Sequence, residues 1–233
     1  MTRKNSFGQP IGEPIDWSPR TLPQPVPLVG EWVRLDPLAA RHAPDLLTVL
    51  APHPELWTYR TDEPPADLDS ALAIIRRSQS APNIAYAVVP AGTDRAFGIL
   101  SIIRSDPANG TTEIGAILYA PELQQTPAST EATHLVARHV FDDLGYRRLE
   151  WKCDSLNEPS RRAATRLGFT EEGTFRNSVV YKNRSRDTTW FSLTDGDWPR
   201  VRSAHRRWLD PANFDAEGHQ RATLSESFAT LES

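Results

Sequence analysis

From residue 32 the chain alternates in character, with Trp32, Arg34 and Asp36 set against Val33, Leu35 and Pro37. That period of two is the mark of a half-buried strand. RHAPDLLTVL then predicts a helix, and Leu68, Leu72, Ile74 and Ile75 in DLDSALAIIRRSQS repeat at helical spacing, so a second helix follows. IAYAVVP, AFGILSIIRS and TEIGAILYA predict three strands, the last two joined by the turn sequence DPANG. Beyond PELQQTPAST, a long helix is expected in EATHLVARHVFDDLGY, where Leu135, Val136, His139, Val140 and Leu144 recur every three or four positions. RRLEWKCDS reads as a strand and NEPSRRAATRLGF as a short helix closed by Gly168. TEEGTFRNSVVYK and DTTWFSLTD read as two further strands. The order β-α-α-β-β-β-α-β-α-β-β, with seven strands, predicts an α/β domain: a mixed, mostly antiparallel sheet with helices on both faces.

Two flanking segments break this pattern. Residues 1–29 carry six of the twenty prolines and predict an extended arm on the surface. Residues 198–233 contain Trp198, Trp208, Phe214 and Phe228, more aromatics than a solvated tail carries, and predict a helical extension packed on the domain of residues 30–197.

The 233 residues are enough for one core without disulfides, and Cys153 is the single cysteine. No apolar run of 18 residues appears and the first twenty residues lack a signal-peptide pattern, so a soluble cytoplasmic protein without a membrane role is expected. A net charge of -4 gives no general attraction for nucleic acid, and the basic run RRSAHRRWL reads as the solvated face of a helix. Monomer and homodimer are both open.

Candidate chemistry begins after TEIGAILYA. Thr126 is a good helix N-cap and Pro127 suits the first helical position. The unpaired backbone N–H groups of such a start, at the positive end of the helix dipole, suit a phosphate. Cys153 has no histidine near it in sequence to make it a nucleophile, and His134 and His139, five apart, lack metal-ligand spacing. No metal is expected.

Four blocks in order, TEIGAILYAPELQQTPASTEA, HVFDDLGYRRLEWKCDSLNEPS, RRAATRLGFTEEGTFR and NRSRDTTWFSL, resemble the GNAT superfamily of N-acetyltransferases over roughly residues 30–195. The resemblance is to its Rim-type branch, the ribosomal-protein-alanine acetyltransferase-like enzymes. It implies a sheet splayed between the fourth and fifth strands, with acetyl-CoA as cosubstrate. The pantetheine arm would then pair with the backbone of Ala116, Ile117 and Leu118. The pyrophosphate would meet the loop of Gln125, Thr126, Pro127, Ala128, Ser129 and Thr130, and the Asn157 side chain would bond the cofactor.

The implied function is acetyl transfer to a primary amine, either a protein N-terminus or a small molecule, by direct attack in a ternary complex. The other reading is a non-catalytic module that binds acyl-CoA or another ligand. Two departures from the family pattern bear on this. Pro127 stands where a glycine is usual and removes one donor from the anion nest, which the Ser129 and Thr130 hydroxyls are placed to replace. Ala164 stands where many members have a tyrosine acid, whereas Ser160 matches the serine of the Rim-type pattern as proton donor to the leaving sulfur.

Glu113 occupies the family's Glu-x-Gly position and is the candidate general base, with a cross-strand ion pair as its other reading. The backbone N–H of Ile117 or Leu118, at a strand bulge, is the expected donor to the thioester oxygen. In HPELWTYRTDEPP, Trp57 and Tyr59 are candidates for lining the acceptor pocket or for packing, while Asp62 and Glu63 are candidates for binding a cationic amine.

Overall fold

The computed structural model describes residues 3–230. Its strands are β1 (Leu28–Val29), β2 (Val33–Pro37), β3 (Ile84–Pro90), β4 (Gly98–Asp106), β5 (Thr111–Tyr119), β6 (Arg148–Asp154), β7 (Thr170–Tyr181) and β8 (Arg184–Thr194). They form one sheet in the order β1-β2-β3-β4-β5-β6-β8-β7. Every pairing is antiparallel except β5 with β6. The helices are α1 (Ala43–Leu50), α2 (Leu68–Ser78), α3 (Pro127–Arg138), α4 (Glu158–Arg166), α5 (Trp198–Leu209) and α6 (Leu224–Ala229). The mixed sheet and the element order follow the hydrophobic periodicity. The strand count is eight instead of seven, because Leu28–Val29 at the end of the proline-rich arm pairs with Arg34 and Leu35.

Alternation along the strands builds a core on each face. Tyr86, Val88, Leu100, Ile102, Ile114, Leu149 and Phe191 point to one side, where α3, α4 and α5 cover them. Ala85, Ala87, Val89, Ile99 and Leu118 point to the other, beneath α1 and α2. The sequence therefore needs near-continuous apolar character in β3, which is buried throughout but for its terminal Pro90.

The arm and the C-terminal extension are both tied to this body. Trp17 donates from Nε1 to the carbonyl of Ala108 at 2.7 Å and lies so close over Gly110 that a Cβ there would come within 2.2 Å of its ring. The Glu131 carboxylate on α3 accepts the backbone N–H groups of Glu31, Trp32 and Val33, holding the β1–β2 turn against the helix. Trp198 of α5 stacks on Phe141 at 5.5 Å and donates from Nε1 to Asp142. Among the described residues, no helix is long and apolar enough to cross a membrane.

Candidate active site

The parallel pairing of β5 with β6 is short. It runs from Thr111↔Arg148 to Glu113↔Glu150 and stops. Beyond it β5 continues along β4 to Tyr119, and β6 continues along β8 to Asp154, so the two strands part and leave a cleft in the sheet. In the numbering with β1 included, the predicted opening between the fourth and fifth strands lies between β5 and β6.

On the β5 wall, two steps of β4 from Ile99 to Ser101 face three steps of β5 from Leu118 to Gly115, which places one extra residue in β5. Ala116 takes a positive φ of 52° there. A strand bulge was expected at Ile117 or Leu118; the extra residue lies between Gly115 and Leu118, with the positive φ at Ala116, and the bulge turns backbone groups out of the ladder.

At the far end of β5 the chain turns into α3 through Gln125, which has a φ of 59°. Thr126 is the N-cap, its Oγ1 accepting from the N–H of Ser129 at 3.2 Å, and Pro127 is the first helical residue. The left-handed residue before a helix start is the shape of an anion nest, with Ala128 in its first turn. The hydroxyls expected to replace the donor lost at Pro127 are turned elsewhere. Ser129 Oγ donates to the carbonyl of Thr126, and Thr130 is buried, accepting at Oγ1 from Arg166 Nη1 at 3.1 Å. A helix position faces outward only once per turn, which is why two adjacent hydroxyls do not both line the nest.

The β6 wall leads into α4. The Asn157 side-chain oxygen caps this helix by accepting the N–H of Ser160 at 3.2 Å. Ser160 Oγ also accepts from Trp151 Nε1 at 3.0 Å, and its hydroxyl lies within hydrogen-bonding reach of the Cys153 thiol. Burial raises the Cys153 thiol above its ordinary pKa, which disfavours the thiolate a nucleophile requires.

Four of the candidate residues have partners or burial that bear on their expected roles. Glu113 is 3% exposed and its Oε2 is held by Arg104 Nη1 and, at 3.0 Å, by Lys152 Nζ. Lys152 also bonds Glu150 at 2.9 Å and lies 3.5 Å from the centre of the Trp190 ring. To accept a proton at that oxygen, Glu113 would have to release a cation, so the geometry agrees with its other reading as a member of a cross-strand ion chain. Trp57 is 1% exposed and belongs to the core beneath α1 and α2, which agrees with its packing reading. Asp62 is spent on Arg60, which grips it through Nε at 2.8 Å and Nη2 at 3.0 Å, leaving it unsuited to bind an incoming amine. Thr130 is the fourth, buried away from the nest as described.

The loop carrying these residues crosses the cleft. Tyr59 donates from its hydroxyl to the carbonyl of Leu156 beyond β6 at 2.9 Å, while Arg60 Nη1 donates to the carbonyl of Ala116 on β5 at 3.3 Å. The tip of the β7–β8 hairpin joins the same loop, with Lys182 Nζ bonding the Trp57 carbonyl at 3.0 Å and Arg184 Nη2 the Thr58 carbonyl at 2.6 Å. Lys182 also pairs with Glu63 at 3.1 Å. Nearby, Tyr181 donates to Asp154 at 2.8 Å, and burial followed by this bond raises the phenol's pKa. Arg60, Trp151, Asp154 and Tyr181 also have side chains around this cleft, and none of them was singled out from the sequence.

A sheet opened beside a bulged strand, with a phosphate-suited helix start at one end of the opening, defines the N-acetyltransferase class. Residues 33–170 match the acetyltransferase (GNAT) domain model, and the chain belongs to this family. A GCN5-related N-acetyltransferase from Brucella melitensis superposes with a TM-score of 0.89 at 40% identity, covering 92% of this chain and 99% of that one. A GNAT-family structure from Chromobacterium violaceum gives 0.76 at 35% identity, covering 82% and 99% respectively. YdaF of Bacillus subtilis, a candidate ribosomal N-acetyltransferase, is 29% identical over 101 residues, 43% of this chain and 55% of YdaF, so the match spans about half of that relative.

Proposed function

We propose that this protein transfers the acetyl group of acetyl-CoA to a primary amine by direct attack in a ternary complex. The observation that carries the reading is the cleft between β5 and β6, opening immediately after Glu113↔Glu150, with the Thr126–Pro127 helix start at the end of the same strand. In this reading the free backbone edge of β5 at Ala116, Ile117 and Leu118 pairs with the pantetheine arm. The N–H groups of Gln125, Thr126 and Ala128 receive the pyrophosphate, and the Asn157 side-chain amide bonds the cofactor from the other wall.

The bulge supplies the N–H of Ile117 to the thioester oxygen, where negative charge grows as the amine attacks. The C–N bond forms as the C–S bond breaks. The amine nitrogen loses one proton to solvent, the departing sulfur takes one from Ser160 Oγ, and Ser160 regains a proton from solvent, so the enzyme returns to its starting state; the hydrogen bond from Trp151 holds the Ser160 hydroxyl in place. Because Glu113 is committed to Arg104 and Lys152, the amine enters as its neutral fraction.

The acceptor reaches the thioester on the side of the loop of residues 57–63. Tyr59 and the Tyr181–Asp154 pair form its nearest polar surroundings. The name given to YdaF favours a protein amine, and an amine panel containing both ribosomal-protein N-terminal peptides and small amines separates the two classes. Calorimetry with acetyl-CoA and detection of released CoA thiol test the whole reading. The expected result is binding together with amine-dependent thiol release. Binding without release identifies a ligand-binding module, and no binding at millimolar acetyl-CoA rejects both.

A further inference from the structure

Ala116 carries a side chain in the left-handed region, with a φ of 52°, and this conformation is unfavourable for any residue but glycine unless its surroundings hold it. The group that holds its carbonyl is Arg60, 56 positions earlier in the chain. The guanidinium is itself fixed on two sides. Its Nε and Nη2 edge is gripped by the Asp62 carboxylate at 2.8 and 3.0 Å, and its plane lies over the buried Trp57 ring, 5.3 Å from the ring centre. Only Nη1 remains for Ala116, at 3.3 Å, and the Arg60 side chain is 20% exposed.

We propose that Arg60 is a positioning residue for acetyl transfer, holding the Ala116 carbonyl on the acceptor side of the cleft so that the Ile117 N–H is turned toward the thioester. The proposal rests on the transfer reading above. Its geometry follows from the peptide bond: in a trans peptide the carbonyl of one residue and the N–H of the next point in opposite directions. Arg60 comes from the loop between α1 and α2, on the sheet face those helices cover, whereas the helix start at Thr126 and the capped end of α4 lie with the opposite face. Pinning the carbonyl toward the first face therefore sends the Ile117 N–H toward the second, from which the cofactor reaches the cleft. Asp62 acts at one remove, by denying the guanidinium any other orientation, and a bidentate fork serves this where a lysine ammonium would not.

The test compares Arg60→Ala, Arg60→Lys and Asp62→Asn with the unaltered protein. Arg60→Ala is expected to lower kcat by about tenfold to a hundredfold, a weaker loss than deleting an oxyanion donor outright, while acetyl-CoA affinity by calorimetry stays within about twofold. Arg60→Lys should recover part of the loss, and Asp62→Asn should fall between. In isotope-edited infrared spectra of bound acetyl-CoA labelled at the carbonyl carbon, the band of Arg60→Ala should return toward its free-solution position. An unchanged kcat, or a loss confined to acetyl-CoA affinity, overturns the proposal. Should Arg60→Ala lose its cooperative thermal transition, the lysine and Asp62→Asn variants decide the matter by the same two measurements. If the unaltered protein binds acetyl-CoA without releasing CoA, the transfer reading fails by itself. The infrared band then judges the role of Arg60 alone: a shift in Arg60→Ala upholds it and an identical band rejects it.

Discussion

Trp151 donates its indole N–H to the Ser160 hydroxyl at 3.0 Å, joining the strand on one wall of the cleft to the first turn of the helix that follows it. A hydroxyl that accepts from a fixed donor has fewer rotations open to its own hydrogen, so under the proposed mechanism Trp151 orients Ser160 for proton donation. Ser160→Ala should lower kcat by about a hundredfold while leaving acetyl-CoA binding unchanged, within the range seen for loss of a general acid. Trp151→Phe, which keeps the ring and removes the donor, should give a smaller loss in kcat. Equal rates for all three proteins in a CoA-release assay would show that the thiolate leaves unaided and that Ser160 serves only the packing of α4.

The nest at the start of α3 has one donor fewer than a glycine-containing loop would supply, because Pro127 has no N–H and the Ser129 and Thr130 hydroxyls are bonded within the protein. Pro127→Ala returns an N–H at the first helical position while keeping a side chain compatible with the helix. Acetyl-CoA affinity should rise about fivefold, the value of one modest hydrogen bond to a charged acceptor at roughly 1 kcal/mol. Calorimetry measures this directly. An unchanged or weaker affinity would mean that the pre-set φ of proline orders the loop by as much as the missing donor costs.

Glu113, Lys152, Glu150 and Arg148 alternate in charge from β5 across β6, and Arg148 continues to Glu172 on β7 at 2.6 Å. Glu113→Gln leaves the 8% exposed Lys152 ammonium with one carboxylate fewer. The expected effect is a stability loss at or below the roughly 3–5 kcal/mol of breaking a buried ion pair, because Glu150 still pairs with Lys152, seen as a lower denaturation midpoint. The pH profile of kcat/KM should keep its shape, since the amine ionises independently of this carboxylate. A loss of rate largest near neutrality and smaller at high pH would restore Glu113 as the base.

What the sequence reveals of this site depends on how far apart its interacting groups lie. Thr126–Pro127 and Asn157 could be read as helix starts because capping is a contact across three residues, whereas the bulge in β5 came only with the family resemblance. For Glu113 the choice between base and ion pair stayed open in the sequence, because its partner Lys152 is set by a parallel register 39 positions away, which no local pattern encodes. Trp57 sits in a run that reads as a polar loop, HPELWTYR, and only the packing of α1 on α2 shows its ring to be core. Arg60 had no signal at all, since its value comes from Ala116 and Asp62 meeting it in space. Hydrophobic periodicity gave the eight-stranded sheet apart from Leu28–Val29, where two residues after a proline-rich arm are too few to show a period.

His134 on α3 and His205 on α5 face each other with ring centres 5.5 Å apart, where the C-terminal extension joins the domain. Burial pushes His134 down to about 4, with the nearby Arg138 and Arg206 adding to the effect. Burial also takes His205 down to about 3, with His134 contributing. Each is neutral in the fold, and His205 Nε2 spends its hydrogen on the carbonyl of Leu167 at 3.1 Å. In the unfolded chain both regain an ordinary value near 6.5, so below that pH the unfolded state binds more protons than the folded one. Their contribution to stability is therefore complete above about pH 6.5 and is lost as the pH falls toward 4 and 3, by about 1.4 kcal/mol per pH unit for each histidine. Denaturant midpoints at pH 7.0, 6.0 and 5.0 should fall accordingly, in a window mostly above the titration of ordinary carboxylates. His134→Phe, which keeps a ring against Trp198, should remove about half of the slope. A slope unchanged by that substitution would place the acid sensitivity elsewhere in the molecule, and no slope at all would mean that both imidazoles can take up a proton without leaving their packing.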